Sequence, residues 1–159
     1  MKQFPLTQGK FALVDDQDFE LLNKFKWFAR KGHYTFYSYT NLKINGKLMS
    51  VAMHRFLLNV YDKKILVDHI NHNGLDNQRN NIRICTRSQN SMNQNPKAKS
   101  TSIYKGVSYR KDRKKWTAHM VINGKNIHIG TFINEVDAAK AYDSYAVLLH
   151  KEFARFNFK

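Results

Sequence analysis

The stretch VDHINHNGLDNQRNNIRICTRSQNSMNQN, residues 67 to 95, sets a carboxylate and an imidazole side by side at Asp68-His69 and follows them with amides at fixed offsets. These are the groups that a one-metal phosphodiester-cleaving site requires. A water must be deprotonated and aimed at phosphorus, and positive charge must meet the developing anion. His69 suits proton abstraction, because an imidazole ordinarily titrates at about pH 6.5 and so changes charge near neutrality. Asp68 suits a hard divalent cation such as Mg²⁺ (or Mn²⁺), which prefers oxygen ligands, keeps several waters and needs only one or two protein groups besides phosphate. The amide carbonyl of Asn90 supplies a second oxygen.

Local signals place these residues on successive elements. Ile65 to Ile70 is an apolar, β-leaning run, Asn71 to Asn80 is dense in turn formers, and Asn81 to Cys85 is a second short strand. Thr86 and Gln89 have capping-box spacing, so a helix starts there with Asn90 in its first turn. Adjacent strand residues point to opposite faces, so Asp68 and His69 serve one phosphate only if the strand twists or ends at that pair. It is expected to end there.

With these elements the segment resembles an HNH endonuclease of the intron-borne and phage-borne, homing type with a ββα-metal core. Asp68-His69 carry the pattern at the first strand, Asn81 is its central amide, and Asn90 stands in place of the last histidine. The resemblance implies that His69 is the general base, that Asp68 and Asn90 bind the metal, and that Asn81 ties the loop to the strands. The upstream MHRFLL, with His54 and Arg55, and the run LDNQRNNIR also look like this family. Arg55, Arg83 and Arg87 are candidate DNA contacts. His54 is expected to serve structure or to support another residue. Paired Cys-x-x-Cys zinc clips, frequent in such enzymes, are absent. Cys85 is the sole cysteine, so neither an internal disulfide nor a structural zinc is expected.

The 159 residues carry a formal net charge of +15, with Lys and Arg in excess in both halves, which predicts contact with a polyanion along the whole chain. Double-stranded DNA is the expected partner; no protein partner is implied. A membrane is not, because no long basic helix has a continuous apolar face. Without an 18-residue apolar run or a signal-peptide core at MKQFPLTQGK, a soluble, cytoplasmic protein is expected, and the resemblance suggests a phage or bacterial host.

Residues 1–95 are expected to form the nuclease domain, its ββα-metal core spanning about 62–95, and 96–101 a polar linker. In 102–159 the sequence YKGVSYRKDRKKWTAHMVINGKNIHIGTF has three β-leaning runs, separated by a charged turn at Lys111 to Lys114 and by Asn123-Gly124. A helix follows from Asn134, with Ala138, Ala141, Tyr142, Tyr145 and Leu149 at helical spacing, and Phe153, Phe156 and Phe158 close the core. The segment resembles the plant APETALA and ethylene-response-factor type of DNA-binding domain, in YKGVSYR, KKWTA, IGTF and the EVDAAKAYDSYAV helix. It departs from that pattern where His119 and His128 replace arginines. Arg110, Arg113, Lys115, Trp116 and His119 are its candidate DNA contacts; for Trp116, core packing is an equal alternative.

In the first 60 residues, Lys10 to Val14 reads as a strand, Asp16 to Phe25 as a helix, and Tyr34 to Met53 as a hairpin turning at Asn45-Gly46. Lys24, Lys26, Arg30 and Lys31 beside Trp27 and Tyr34 either track a phosphate backbone or form a solvated face. The fold class is therefore α+β: an N-terminal nuclease part and a C-terminal three-stranded antiparallel sheet packed on one helix. The expected function is site-specific DNA cleavage with one divalent metal. A non-catalytic DNA-binding regulator with an HNH scaffold, or a non-specific nuclease, is the alternative.

Overall fold

In the computed structural model, residues 1–96, 100–122 and 124–158 are described. The expected 96–101 linker and the Asn123-Gly124 turn fall in part outside them. Contacts divide the chain into two units, Met1–Cys85 and Thr86–Lys159. Among the described residues no helix is long and apolar enough to cross a membrane.

The first unit opens with Lys2–Pro5 (β1) paired antiparallel to Phe11–Val14 (β2), followed by Asp16–Leu22 (α1). The helix is three residues shorter than its sequence pattern. Phe25 and Trp27 instead form an edge-to-face aromatic group with Phe56, and the Trp27 indole donates to Leu22 O at 2.9 Å. The expected hairpin is present as Phe36–Ile44 (β4) and Lys47–Ala52 (β5), and Asn45 and Gly46 take φ of 50° and 78°, the turn that matches strand twist. A third strand absent from the sequence reading, Phe28–Lys31 (β3), pairs with β4. Met53–Leu57 (α2) leads on to Leu66–His69 (β6) and Ile82–Cys85 (β7), a two-stranded antiparallel pair. Phe4, Val14, Leu22, Trp27, Met53, Leu57 and Ile82 share one apolar core, which fastens β7 to the N-terminal elements.

The second unit begins with Arg87–Asn93 (α3), capped by Thr86 and Gln89 in a reciprocal capping box. The sequence assigns this helix to the nuclease part. Its packing explains the boundary at 85: the Lys105 ammonium donates to Ser91 O, Met92 O and Gln94 O at 3.0, 2.5 and 2.7 Å. A cation there complements the negative end of the helix. Burial, and then Arg155, push the Lys105 pKa down to about 8.

Val107–Arg110 (β8), Lys115–Ile122 (β9) and Lys125–Phe132 (β10) form the antiparallel sheet, covered by Glu135–His150 (α4). The helix buries Ala138, Ala139, Tyr142, Ala146 and His150, while Tyr145 and Leu149 are exposed. Ala138 and Tyr142 are buried as the apolar spacing expects, whereas toward the C-terminus the contact stripe runs through Ala146 and His150, one position beyond Tyr145 and Leu149. Phe153 is buried as expected, whereas Phe156 is exposed and Phe158 rests on Tyr104.

Gly106 has φ of +72°, and a Cβ there would overlap the Tyr142 ring and approach His119 O. Gly106→Ala combines left-handed strain with overpacking, each costing about 1–3 kcal/mol. Urea denaturation followed at Trp116 is expected to show a loss of at least about 2 kcal/mol; a change within about 0.5 kcal/mol would refute the close approach.

Candidate active site

The strand β6 ends at His69, as expected from the sequence. Asp68 faces Arg83 across the ladder and His69 faces Ile82. Between the strands, the polar loop is closed upon itself. The Asn81 side chain accepts from Asn71 N at 3.0 Å and donates to Asn71 Oδ1 at 3.0 Å and Asp76 O at 2.7 Å. Its own carbonyl accepts from Ile70 N at 2.9 Å. Asp76 accepts from Asn71 Nδ2 at 2.7 Å and from Gln78, and Asn71 and Asn73 cap the amides of Asn73 and Leu75. Where this polar loop is buried, at Gly74 to Asn77, such internal partners matter most, since an unmade hydrogen bond costs about 1–3 kcal/mol.

Long-range contacts hold this loop against the rest of the unit. Leu13 N donates to Leu75 O and Asn77 N to Leu13 O, both at 2.8 Å. Arg79 makes a bidentate pair with the buried Asp18 at 2.8 and 2.7 Å, and its backbone amide bonds Asp15. Gly74 lies so close to β4 that a Cβ would come within 2.5 Å of Phe36 O.

Asp68 and His69 have different surroundings. The Asp68 carboxylate receives Arg83 Nη2 at 3.0 Å, with both side chains mostly buried. The His69 ring lies edge-to-face with His54 at 4.7 Å and 5.8 Å from the Tyr37 ring. Burial lowers the His69 pKa, against the polar Asn77 side chain and the charges of Asp68 and Asp76. Burial, and then the neighbouring His69 and Arg55, drive the His54 pKa to about 3. His54 is therefore a neutral ring, and its Nδ1 makes no hydrogen bond among the described residues. Tyr37 was invisible to sequence reasoning; alternation in FYSYT puts Tyr37 and Tyr39 on one strand face, but only pairing reveals what they meet.

The candidate DNA contacts divide by what they already hold. Arg55 donates to Ile65 O and Asp62 O at 2.9 and 2.6 Å, so it braces the turn before β6. Arg83 serves Asp68. Arg87 is exposed at the start of α3, in the second unit with Asn90. On the sheet, Arg110 pairs with Asp112 through two 3.0 Å contacts, Arg113 lies 3.8 Å from the same carboxylate, and Lys115 is exposed. His119 stands opposite His128. Trp116, on the strand side shared with Ala118 and Met120, packs against the Val107, Ala118, Ala138 and Ala139 core.

For a divalent cation, the test is donor chemistry. Among the described residues no three His, Cys, Asp or Glu side chains gather as a metal cluster. The Asp68 carboxylate is the kind of oxygen ligand that suits a hard ion retaining waters and binding phosphate, and it does not suit a soft one. Arg83 marks the carboxylate as a place where positive charge is already favoured.

Residues 102–151 match the AP2 domain family. Over 155 residues the chain is 32% identical to a protein of Acanthamoeba polyphaga mimivirus named as an uncharacterized HNH endonuclease, covering 94% of this chain and 76% of that protein. Over 94 residues it is 31% identical to protein 3.8 of Escherichia phage T7, covering 59% of this chain and 77% of that protein.

The buried neutral His54 makes stability depend on pH. Its folded pKa of about 3 lies below the unfolded value of 6.5, so the unfolded chain binds the extra proton between them. This contribution is complete above about pH 6.5 and is lost as pH falls toward 3. From pH 7 to 5 it amounts to about 2 kcal/mol. Denaturant titrations at the two pH values are expected to show the loss in the native protein, and His54→Gln, which cannot titrate, to reduce it by that amount.

Proposed function

We propose that this chain, which belongs to the HNH endonuclease family and carries a C-terminal AP2 domain, hydrolyses phosphodiester bonds in duplex DNA with His69 as general base. The single observation that supports the reading is the end of β6 at His69, the residue after Asp68, where the self-bonded loop begins. In this reading β6 and β7 are the two strands of the ββα-metal core. His69 takes the proton of the attacking water on its imidazole, and the rings of His54 and Tyr37 limit where that imidazole can lie. Asp68 would supply a carboxylate oxygen to one Mg²⁺ or Mn²⁺. When bound, the cation offsets charge on the phosphate and the leaving oxygen. Asn81 acts through the loop, keeping the two strands and their side chains in register.

The AP2 domain supplies the duplex contact that gives the cut its site. Arg113, Lys115 and His119, with Arg110 released from its exposed pair with Asp112, present charge and hydrogen-bonding groups on the sheet. A second reading, a DNA-binding regulator that no longer cuts, draws on one observation: Arg83 already neutralises Asp68.

One experiment separates these readings. Full-length protein is incubated with long DNA fragments in Mg²⁺ and the ends are mapped. Site-restricted cutting is expected, abolished by EDTA. His69→Ala is expected to cut about 10²- to 10⁴-fold more slowly with unchanged DNA affinity. Asp68→Asn and Asn90→Ala are expected to lose cleavage likewise. Absence of cutting by the native protein favours the regulator, and a fully active His69→Ala removes His69 from the mechanism.

A further inference from the structure

The sheet β3–β4–β5 has one buried face, and the other is open except where Ala52, opposite Tyr39, is buried and Tyr37 meets His54. Ala29, Ser38, Thr40 and Val51 point inward and are buried. On the other side the register aligns Phe28 with Tyr39, Arg30 with Tyr37, Asn41 with Ser50 and Lys43 with Leu48. Arg30, Asn41, Lys43 and Ser50 are exposed there. No carboxylate stands on this face, and between Glu20 and Asp62 every Asp, Glu, Lys or Arg position is Lys or Arg.

Two features distinguish the face from ordinary solvated surface. Arg30 is fixed: its guanidinium lies 3.5 Å from the Tyr39 ring centroid, and Phe28 stacks against the same ring at 6.3 Å with planes 26° apart. Arg30 makes no ion pair among the described residues, so its charge remains available. A guanidinium held flat by a ring loses less freedom when it meets a phosphate than an unsupported one. The second feature is continuity. Tyr37, the cross-strand neighbour of Arg30, contacts the His54 and His69 rings at 5.9 and 5.8 Å. One side of one sheet therefore extends from unpaired positive charge to the candidate general base.

We propose that this face is a DNA-backbone track of the nuclease part, on which Arg30 and Lys43 bind phosphates of the duplex next to the bond presented to His69. The occupant is the substrate DNA itself, because the face offers positive charge and planar groups and leads to the imidazole. This rests on the nuclease reading of the site. It adds a contact surface in the first unit, independent of the AP2 sheet, and gives Tyr39 a role as the support of Arg30.

The test measures binding without cutting. Full-length protein is titrated with fluorescein-labelled duplex DNA of mixed sequence in EDTA, at salt concentrations from about 50 to 200 mM. Each phosphate contact contributes about 0.9 to the slope of log affinity against log salt. Arg30→Gln and Lys43→Gln, both at exposed positions, are each expected to lower the slope by about 1 and the double variant by about 2, with thermal unfolding unchanged. Tyr39→Leu is expected to weaken binding without altering the number of charges, and Lys43→Cys carrying a photo-crosslinker to capture the DNA. An unchanged slope in the folded double variant, or no crosslink, would overturn the track. Because no cation is present, failure of the native protein to cut in Mg²⁺ would count against the nuclease reading and leave this measurement intact.

Discussion

A loop made almost wholly of amides and carboxylates sits against a protein interior at least cost when its own groups satisfy one another, and Asn81 does this for Asn71 and Asp76, while the buried Asn77 side chain makes no hydrogen bond among the described residues. The Asn81 amide closes the Asn71 to Asp76 arc from inside, and its backbone carries β6 into β7. The separation of the two strands follows, and with it the place where β6 stops. The N-terminal hairpin depends on the same arc, since β2 bonds its far side through Leu13 and α1 grips it through Asp18 and Arg79. A hydrophobic core alone would leave the positions of Asp68 and His69 unspecified; the polar arc fixes them.

What the sequence made legible was local. The strand stop at His69, the Asn45-Gly46 turn and the capping box of Thr86 and Gln89 each rest on neighbours a few residues apart, and each is present. The missing strands β1 and β3 are short, and their identity comes from partners up to about a dozen residues away, which periodicity does not report. Tyr37 beside His69 is likewise a product of pairing. The arginines show a further ambiguity. Arg55, Arg79 and Arg83 look alike in a basic sequence, yet each is engaged with carbonyls or carboxylates of its own unit. Composition counts charge and cannot say which charges the fold has already used.

The C-terminal helix illustrates the same limit for apolar residues. Helical spacing picks out Tyr145 and Leu149, whereas the sheet takes Ala139 and Ala146 beside the large Tyr142 ring, so small and large side chains alternate along the contact. Trp116 was ambiguous for the opposite reason: a large ring can serve either side of a thin sheet, and the strand's parity assigns it to the helix side.

The Asn-Gly dipeptides differ in how they will age. Succinimide formation, the first step of asparagine deamidation, requires the glycine amide nitrogen to attack the preceding side-chain carbonyl. At Asn73-Gly74 that nitrogen donates to Thr35 Oγ1 at 3.3 Å and the Asn73 oxygen accepts from Leu75 N at 3.1 Å, so both reactants are held elsewhere. At Asn45-Gly46 both residues are exposed in a tight turn. Peptide mapping of stored protein should therefore find new carboxylate in the hairpin turn well before it appears in the loop beside His69. The hydrogen bonds that shape the candidate site also act as its chemical preservative.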